Sequence, residues 1–428
     1  MTKLKIFGGR TLSGKIAVSG SKNASLPIIA ACVLTGDLVT LTNIPNLDDI
    51  HSMSALLREM GCNIKFNPNE SSFEHTMLVN CSSLTTLIAS YDIVRKMRAS
   101  VLVLGPMLAR FGNAKISLPG GCAIGTRPVD MHLSALEAMG AVIELEEGYI
   151  VATVPEGRLK GAEIFFNKIS VGATENALMA ATLADGQTII HNAAREPEIT
   201  DLAEFLVKLG AKIRGIGTDI LIIDGVESLH GCSHKIIPDR IEAGTFAILA
   251  AATGGKIEVT NCNPKHLTSL IHSLRSAGIA IEEEESSMTV YRNNANISAI
   301  NVQTAPYPNF PTDLQAQLMT LLSLADGVSR VTETIFENRF MHVSELTRMG
   351  AVIAINDNTA IITGTRELKP AEVMASDLRA SASLVIAALC ANGESLVNRI
   401  YHLDRGYERI EHKLQGIGAE IFRIKELT

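Results

Sequence analysis

Tryptophan is absent from this chain, and all aromatic residues together make up 4% of its 428 residues. A protein that binds nucleic acid by stacking bases needs more rings than this. Positive charge is also short, with 38 Lys and Arg against 45 Asp and Glu, a formal net charge of -7. That balance speaks against a nucleic-acid or anionic-membrane partner and leaves room for a small anion held in a local basic pocket. The seven cysteines stand at 32, 62, 81, 122, 232, 262 and 390, with no Cys-x-x-Cys pair. An odd count at wide spacings predicts no metal site and no disulfide framework, and points to a reducing compartment. No uninterrupted apolar run reaches the roughly 18 residues of a membrane span. The opening Met1-Thr-Lys-Leu-Lys-Ile-Phe-Gly-Gly-Arg10 lacks an apolar stretch of signal-peptide length. A soluble, cytoplasmic protein is expected.

What is present is a globular composition, 46% apolar and 19% charged, in a length that suits two or three domains. Its main feature is an internal repeat. The pattern Leu-x-x-apolar-Gly-x-x-Ile occurs six times, with its glycines at Gly61, Gly140, Gly210, Gly278, Gly350 and Gly418. Leu and the apolar residue three later share a helix face. Gly then ends the helix in a left-handed cap, and x-x-Ile opens a strand. Upstream of the capping glycines lie small, apolar helices such as Asn23–Cys32, Gly172–Ala181, Glu242–Ala251 and Arg379–Ala388. They are apolar nearly all round and are expected to be buried. Each unit reads as strand, buried helix, strand, amphipathic helix and further strand, a βαβαββ-type unit. Six of them grouped three and three make two α/β domains, helices inside and sheets outside. A plain repeat scaffold without a catalytic site is the competing reading.

Polar residues collect where the buried helices begin: Ser21-Lys22-Asn23, Arg95-Lys96-Met-Arg98, Lys168-Ile169-Ser170-Val171, Pro238-Asp239-Arg240, Pro311-Thr312-Asp313 and Ser376-Asp377-Leu-Arg379. Helix starts carry free N–H groups and the positive dipole end, so cations added there suit phosphate or carboxylate. The plainer alternative is that these acids and bases pair with one another. One cysteine stands apart: Cys122 sits in Gly120-Gly121-Cys122-Ala-Ile-Gly125, a loop that allows close approach, with Arg127 near enough to lower its pKa.

Several ordered motifs resemble the UDP-N-acetylglucosamine 1-carboxyvinyltransferase family. They are Lys22-Asn23, Pro119-Gly-Gly-Cys-Ala-Ile-Gly-x-Arg-Pro-Val-Asp130, Ala194-Arg-Glu-Pro-Glu198, Phe310-Pro-Thr-Asp-x-Gln-Ala-Gln317, Phe336-Glu-Asn-Arg-Phe-Met-His342, Asp377-Leu-Arg-Ala-Ser-Ala-Ser383 and Asp404-Arg-Gly-Tyr-Glu-Arg409. The resemblance runs from Gly8 to about Ile424. It implies two inside-out α/β barrel domains, residues 1–21 with 238–428 and residues 22–237, over an interdomain cleft. The implied reaction adds the sugar 3-hydroxyl of UDP-N-acetylglucosamine to phosphoenolpyruvate and then eliminates phosphate, with no cofactor. By the same resemblance Cys122 donates the methylene proton and is the target of fosfomycin, and Asp313 takes the hydroxyl proton. Lys22, Arg127 and Arg405 hold phosphoenolpyruvate. Asn23, Arg98, the run Arg127, Pro128, Val129, Asp130, Met131, then Lys168, Ile169, Ser170, Val171, and Ile335 line the UDP-sugar site. Glu196, Arg339, Asp377 and Arg379 stand behind these. The related 5-enolpyruvylshikimate-3-phosphate synthases lack the Gly-Gly-Cys loop and use another acceptor.

Overall fold

The computed structural model describes residues 2–69, 73–94, 97–118, 129–293 and 296–425. Among them are six four-stranded sheets, one per repeat. All six share one topology, in which one outer strand runs parallel to its neighbour and the other two pairings are antiparallel. In four of the six the parallel pair is joined through a buried helix, as a parallel connection requires; in the first and fourth repeats the parallel partners come from distant parts of the chain.

Two compact units result, each with its own core. In one, residues 4–18 pack with residues 241–421. Strand Thr2–Gly8 takes a central place in the sheet of the sixth repeat, antiparallel to both Gly393–Asn398 and Glu420–Lys425. Strand Gly14–Ala17 runs parallel to Lys256–Thr260 and completes the sheet of the fourth. In the other unit, which lies within residues 20–237, strand Ser233–Lys235 returns to run parallel to Leu38–Ile44 of the first repeat.

The apolar helices are buried as their composition predicts. All residues from Arg240 to Ala252 of helix Arg240–Thr253 are buried, and so are Arg379 to Leu389 of Leu378–Cys390. Two of the six open differently from the rest. A 3-10 turn, Arg98–Val103, precedes Leu104–Phe111, and another, Thr312–Leu314, precedes Gln315–Leu322. The helices approach closely: a Cβ on Gly105 would lie 2.5 Å from the Asn176 carbonyl oxygen.

The six repeat glycines all have positive φ, from 87° to 106°. At Gly140 nothing lies within 4 Å of where a Cβ would stand, so the backbone angle alone demands glycine there. A second device also repeats. Asn43, Asn192 and Asn261 end their strands at positive φ. Their amides donate to Ile236, Phe166 and Val18 carbonyls at 2.8, 2.9 and 2.6 Å, each pinning the parallel neighbour. Asparagine tolerates this conformation better than other residues with side chains.

One expectation fails. Cys62 and Cys81 form a disulfide, with Cα atoms 4.4 Å apart. They flank the ends of the antiparallel strands Asn63–Asn67 and His75–Asn80, in which Asn63 faces Asn80. The next step of that register sets the cysteines opposite each other, which their separation of 19 residues conceals. A closed loop of this size contributes about 3 kcal/mol in the chain-entropy account. Reduction is therefore expected to lower the urea midpoint. Thiol titration of the unreduced, unfolded chain should find five of its seven cysteines free; seven would contradict the bond.

Candidate active site

In the unit carrying the last three repeats, the 3-10 turn Thr312–Leu314 presents Asp313, whose side chain is 25% exposed. Its Oδ1 accepts from Arg339 Nη2 at 2.8 Å and its Oδ2 from Arg379 Nη2 at 2.9 Å. Both arginine side chains are only 5% exposed. The carboxylate is thus the solvent-facing member of a three-charge group, and two strong donors fix both of its oxygens. Burial alone would lower the Arg379 pKa, but the Asp313 charge opposes it and the net direction is upward. The plainer alternative, pairing of acid and base at helix starts, is realised here.

The backbone under these side chains is capped. Asp377 Oδ1 accepts from the Arg379 and Ala380 amides at 2.9 and 3.0 Å, which sets the start of helix Leu378–Cys390. Glu333 Oε1 accepts from the Ile335 amide at 2.8 Å and its Oε2 from Thr312 Oγ1 at 2.8 Å. Glu333 thereby joins the segment bearing Ile335 and Arg339 to the turn bearing Asp313. His342 is pushed down to about 4, first by burial, with the Arg339 charge adding to it, and stays neutral. Arg405 ends the 3-10 helix Ile400–Arg405 and is half-buried. The adjoining Asp404 is engaged by Arg423 at 2.7 and 2.8 Å.

In the other unit, Ser21 caps helix Lys22–Ala31 by accepting from the Ala24 amide at 3.2 Å. Lys22 is the first residue of that helix, its Nζ 3.4 Å from Asp49 Oδ2. Asn23 follows, half-buried. Pro27 removes the amide that would have reached the Asn23 carbonyl. Arg98 opens the 3-10 helix Arg98–Val103, half-buried. Val129 precedes helix Asp130–Ala138, whose first residues are the exposed Asp130 and half-buried Met131. Lys168 is exposed and Ile169 half-buried, while Ser170 caps helix Val171–Ala181 by accepting from Ala173 N at 3.3 Å. The predicted residues of this unit therefore gather at helix starts, where free N–H groups favour anions. Cys122, Arg127 and Pro128 lie outside the described residues.

Two further residues of this unit stand inside those sequence segments, without a role assigned to them there. His132 Nδ1 lies 2.8 Å from Asn176 Nδ2, and the Asn176 Oδ1 is occupied by the Gly105 amide. The amide nitrogen donates, so Nδ1 accepts and the ring is neutral. Burial, and then the Arg98 charge, push His132 down to about 4 in agreement. Glu175, fully buried in helix Val171–Ala181, is held well above the usual carboxylate range by burial first, then by Glu198 and Glu196. Glu196 precedes helix Pro197–Lys208. Among the described residues no group of three or more His, Cys, Asp or Glu is placed to hold a metal ion, and no helix is long and apolar enough to cross a membrane.

The sequence profile of EPSP synthase (3-phosphoshikimate 1-carboxyvinyltransferase) matches residues 6–414. A protein of Paramagnetospirillum magneticum named UDP-N-acetylglucosamine 1-carboxyvinyltransferase is 55% identical over 429 residues, covering 100% of this chain and 99% of its own. Proteins of the same name from Rhodospirillum centenum and Granulibacter bethesdensis are 54% and 56% identical, over 100% and 99% of this chain and 100% of each relative. Among solved structures, the enolpyruvyl transferase NikO from Streptomyces tendae superposes with a TM-score of 0.88 at 24% identity, over 99% of this chain and 98% of that one. The EPSP synthase of Acinetobacter baumannii gives 0.76 at 19% identity, over 99% and 100%. These structures share the fold.

Proposed function

The chain belongs to the UDP-N-acetylglucosamine 1-carboxyvinyltransferases, within the wider EPSP synthase family, and from that premise we propose that it moves the enolpyruvyl group of phosphoenolpyruvate onto the 3-hydroxyl of UDP-N-acetylglucosamine with release of phosphate. The observation that carries this reading is identity of 54–56% along the whole chain to four relatives of that name. The proposed setting is the cytoplasm, at the first committed step of peptidoglycan synthesis, where both small-molecule substrates are made.

The chemistry needs a base at the hydroxyl, an acid at the methylene carbon, and cations on phosphate and carboxylate. Asp313 suits the first task, because a carboxylate held at both oxygens spends no freedom on finding the hydroxyl. Addition forms the C–O bond at the central carbon while Cys122 gives its proton to the methylene carbon. The resulting tetrahedral phospho-ketal then loses a methyl proton and phosphate, restoring the double bond. Lys22, Arg127 and Arg405 carry the phosphate and carboxylate charge. Asn23, Arg98, the run Arg127 to Met131, Lys168 to Val171 and Ile335 take the UDP-sugar. Glu196, Arg339, Asp377 and Arg379 orient the groups in front of them.

Phosphate release separates this reading from its nearest rival. Phosphoenolpyruvate with UDP-N-acetylglucosamine should yield inorganic phosphate, and phosphoenolpyruvate with shikimate 3-phosphate should not. The reverse preference would establish the other acceptor, and release with neither would favour a scaffold that catalyses nothing.

A further inference from the structure

A buried polar network stands behind Asp313. Tyr407 is 1% exposed, and its hydroxyl lies 2.8 Å from Thr245 Oγ1, 3.2 Å from Gln317 Nε2 and 3.4 Å from Arg379 Nη1. The direction of these bonds follows from Thr245. Its single hydroxyl proton goes to the Ile241 carbonyl at 2.8 Å, so Thr245 accepts from Tyr407. The Tyr407 proton is thereby committed, and its oxygen faces the two remaining donors, Gln317 and Arg379. Gln317 Nε2 also donates to the Asp313 carbonyl at 3.0 Å, and its second proton is shared between the Tyr407 oxygen and Thr245 Oγ1, the latter 3.1 Å away. The Arg379 guanidinium lies over the Tyr407 ring as well, 5.7 Å from its centroid. Asp313 is therefore held twice, at its main chain through Gln317 and at its carboxylate through Arg379, and both holds meet at the Tyr407 oxygen.

We propose that Tyr407 is a positioning residue for the reaction: its hydroxyl oxygen, with its proton committed to Thr245, fixes the orientation of Arg379 and thereby the Asp313 carboxylate. The proposal rests on the reading of Asp313 as the proton acceptor. Among the described residues, the charged and titratable groups around that carboxylate include Arg339 and Arg379 in contact, Tyr407 and Asp239 facing Arg379, neutral His342 beside Arg339 with Asp377 facing His342, and Glu333 behind Thr312. Of these charged groups, Arg379 is the one that the Tyr407 hydroxyl contacts.

The test is steady-state kinetics of Tyr407→Phe across pH, with phosphate release as the readout and thermal unfolding beside it. Phenylalanine keeps the ring and loses the oxygen. The expected result is a kcat lower by about tenfold, as a slight misplacement of a reacting group produces, with KM for UDP-N-acetylglucosamine within about twofold. A loosened Arg379 withdraws positive charge from Asp313, whose proton affinity then rises, so the acid limb of the kcat profile should move to higher pH. Thr245→Val, which frees the Tyr407 proton, should shift both quantities the same way by less, and it carries the test if Tyr407→Phe does not fold. An unchanged kcat and acid limb would overturn the proposal, as would a fall in kcat that tracks lost thermal stability with the limb unmoved. Asp313→Asn is the third arm. Inactivity there beside a fully active Tyr407→Phe sinks the Tyr407 role alone, whereas full activity of Asp313→Asn removes the premise for both.

Discussion

Asp313→Asn is expected to lower kcat by about a hundredfold or more, the usual contribution of a positioned acid–base group, and to destabilise its unit as well. Asparagine keeps the shape and one acceptor oxygen, but it cannot take a proton from the sugar hydroxyl. Its amide nitrogen would point a donor at one of two guanidinium groups that are both donors. Arg339 and Arg379, each 5% exposed, would then face each other without the charge that separates them. Breaking a buried pair by removing one partner costs about 3–5 kcal/mol. Asp313 is itself one quarter exposed, so water repays part of this and about 3 kcal/mol is the better figure. Denaturant unfolding should show a lower midpoint with an unchanged slope. KM should move less than kcat, because the role proposed for the carboxylate is at the reacting proton. A variant with wild-type kcat would show that the carboxylate holds the arginines in place and does no chemistry.

Cys122→Ala should be similarly damaging, with a loss of about a hundredfold or more in turnover, whereas Cys122→Asp should remain active. Both follow from the role of proton donor, since aspartic acid can give a proton and alanine cannot. A donor thiol must carry its proton at the start of each cycle. On the proposed assignment Arg127 would favour the thiolate and a bound phosphate the thiol, so loading phosphoenolpyruvate should itself help to protonate it. Full turnover by the alanine variant would end this account of Cys122. Fosfomycin labelling checks the same residue independently. Burial pushes Cys262 up to about 11 and Cys390 up to about 12, and it raises Cys32 and Cys232. Cys62 and Cys81 are joined to each other. Thiols with raised pKa react slowly at neutral pH, so mass spectrometry should find one adduct, on Cys122. An adduct on another cysteine, or none, would contradict the assignment.

The repeats were legible because their signal is local. Leu, an apolar residue, Gly and Ile within eight positions specify a helix, its stop and a strand, and all six glycines adopt the left-handed angle this requires. The buried helices were legible for the same reason, since a segment apolar all round has one place to go. Partners distant in sequence were not. Thr2–Gly8 joins a sheet whose other strands lie near residue 400; nothing in its seven residues specifies that address, and only the family resemblance implies a grouping of residues 1–21 with 238–428. Cys62 and Cys81 meet through a strand register that composition does not encode. Thr245 and Tyr407 meet across 162 residues, although Tyr407 and Gln317 both stood inside motifs already marked for their charged neighbours. The sequence marks Lys22 as a helix-start cation, but its ion pair with Asp49 depends on a second helix.

The most direct test of the central claim is the identity of the product. Phosphoenolpyruvate labelled with carbon-13 at its central carbon, incubated with UDP-N-acetylglucosamine and the enzyme, should give a UDP-sugar in which the label is bonded through oxygen to carbon 3 of the sugar as an enol ether, with one phosphate released per sugar converted. Label recovered as unchanged phosphoenolpyruvate or as pyruvate, or attached at any other sugar position, would contradict the account.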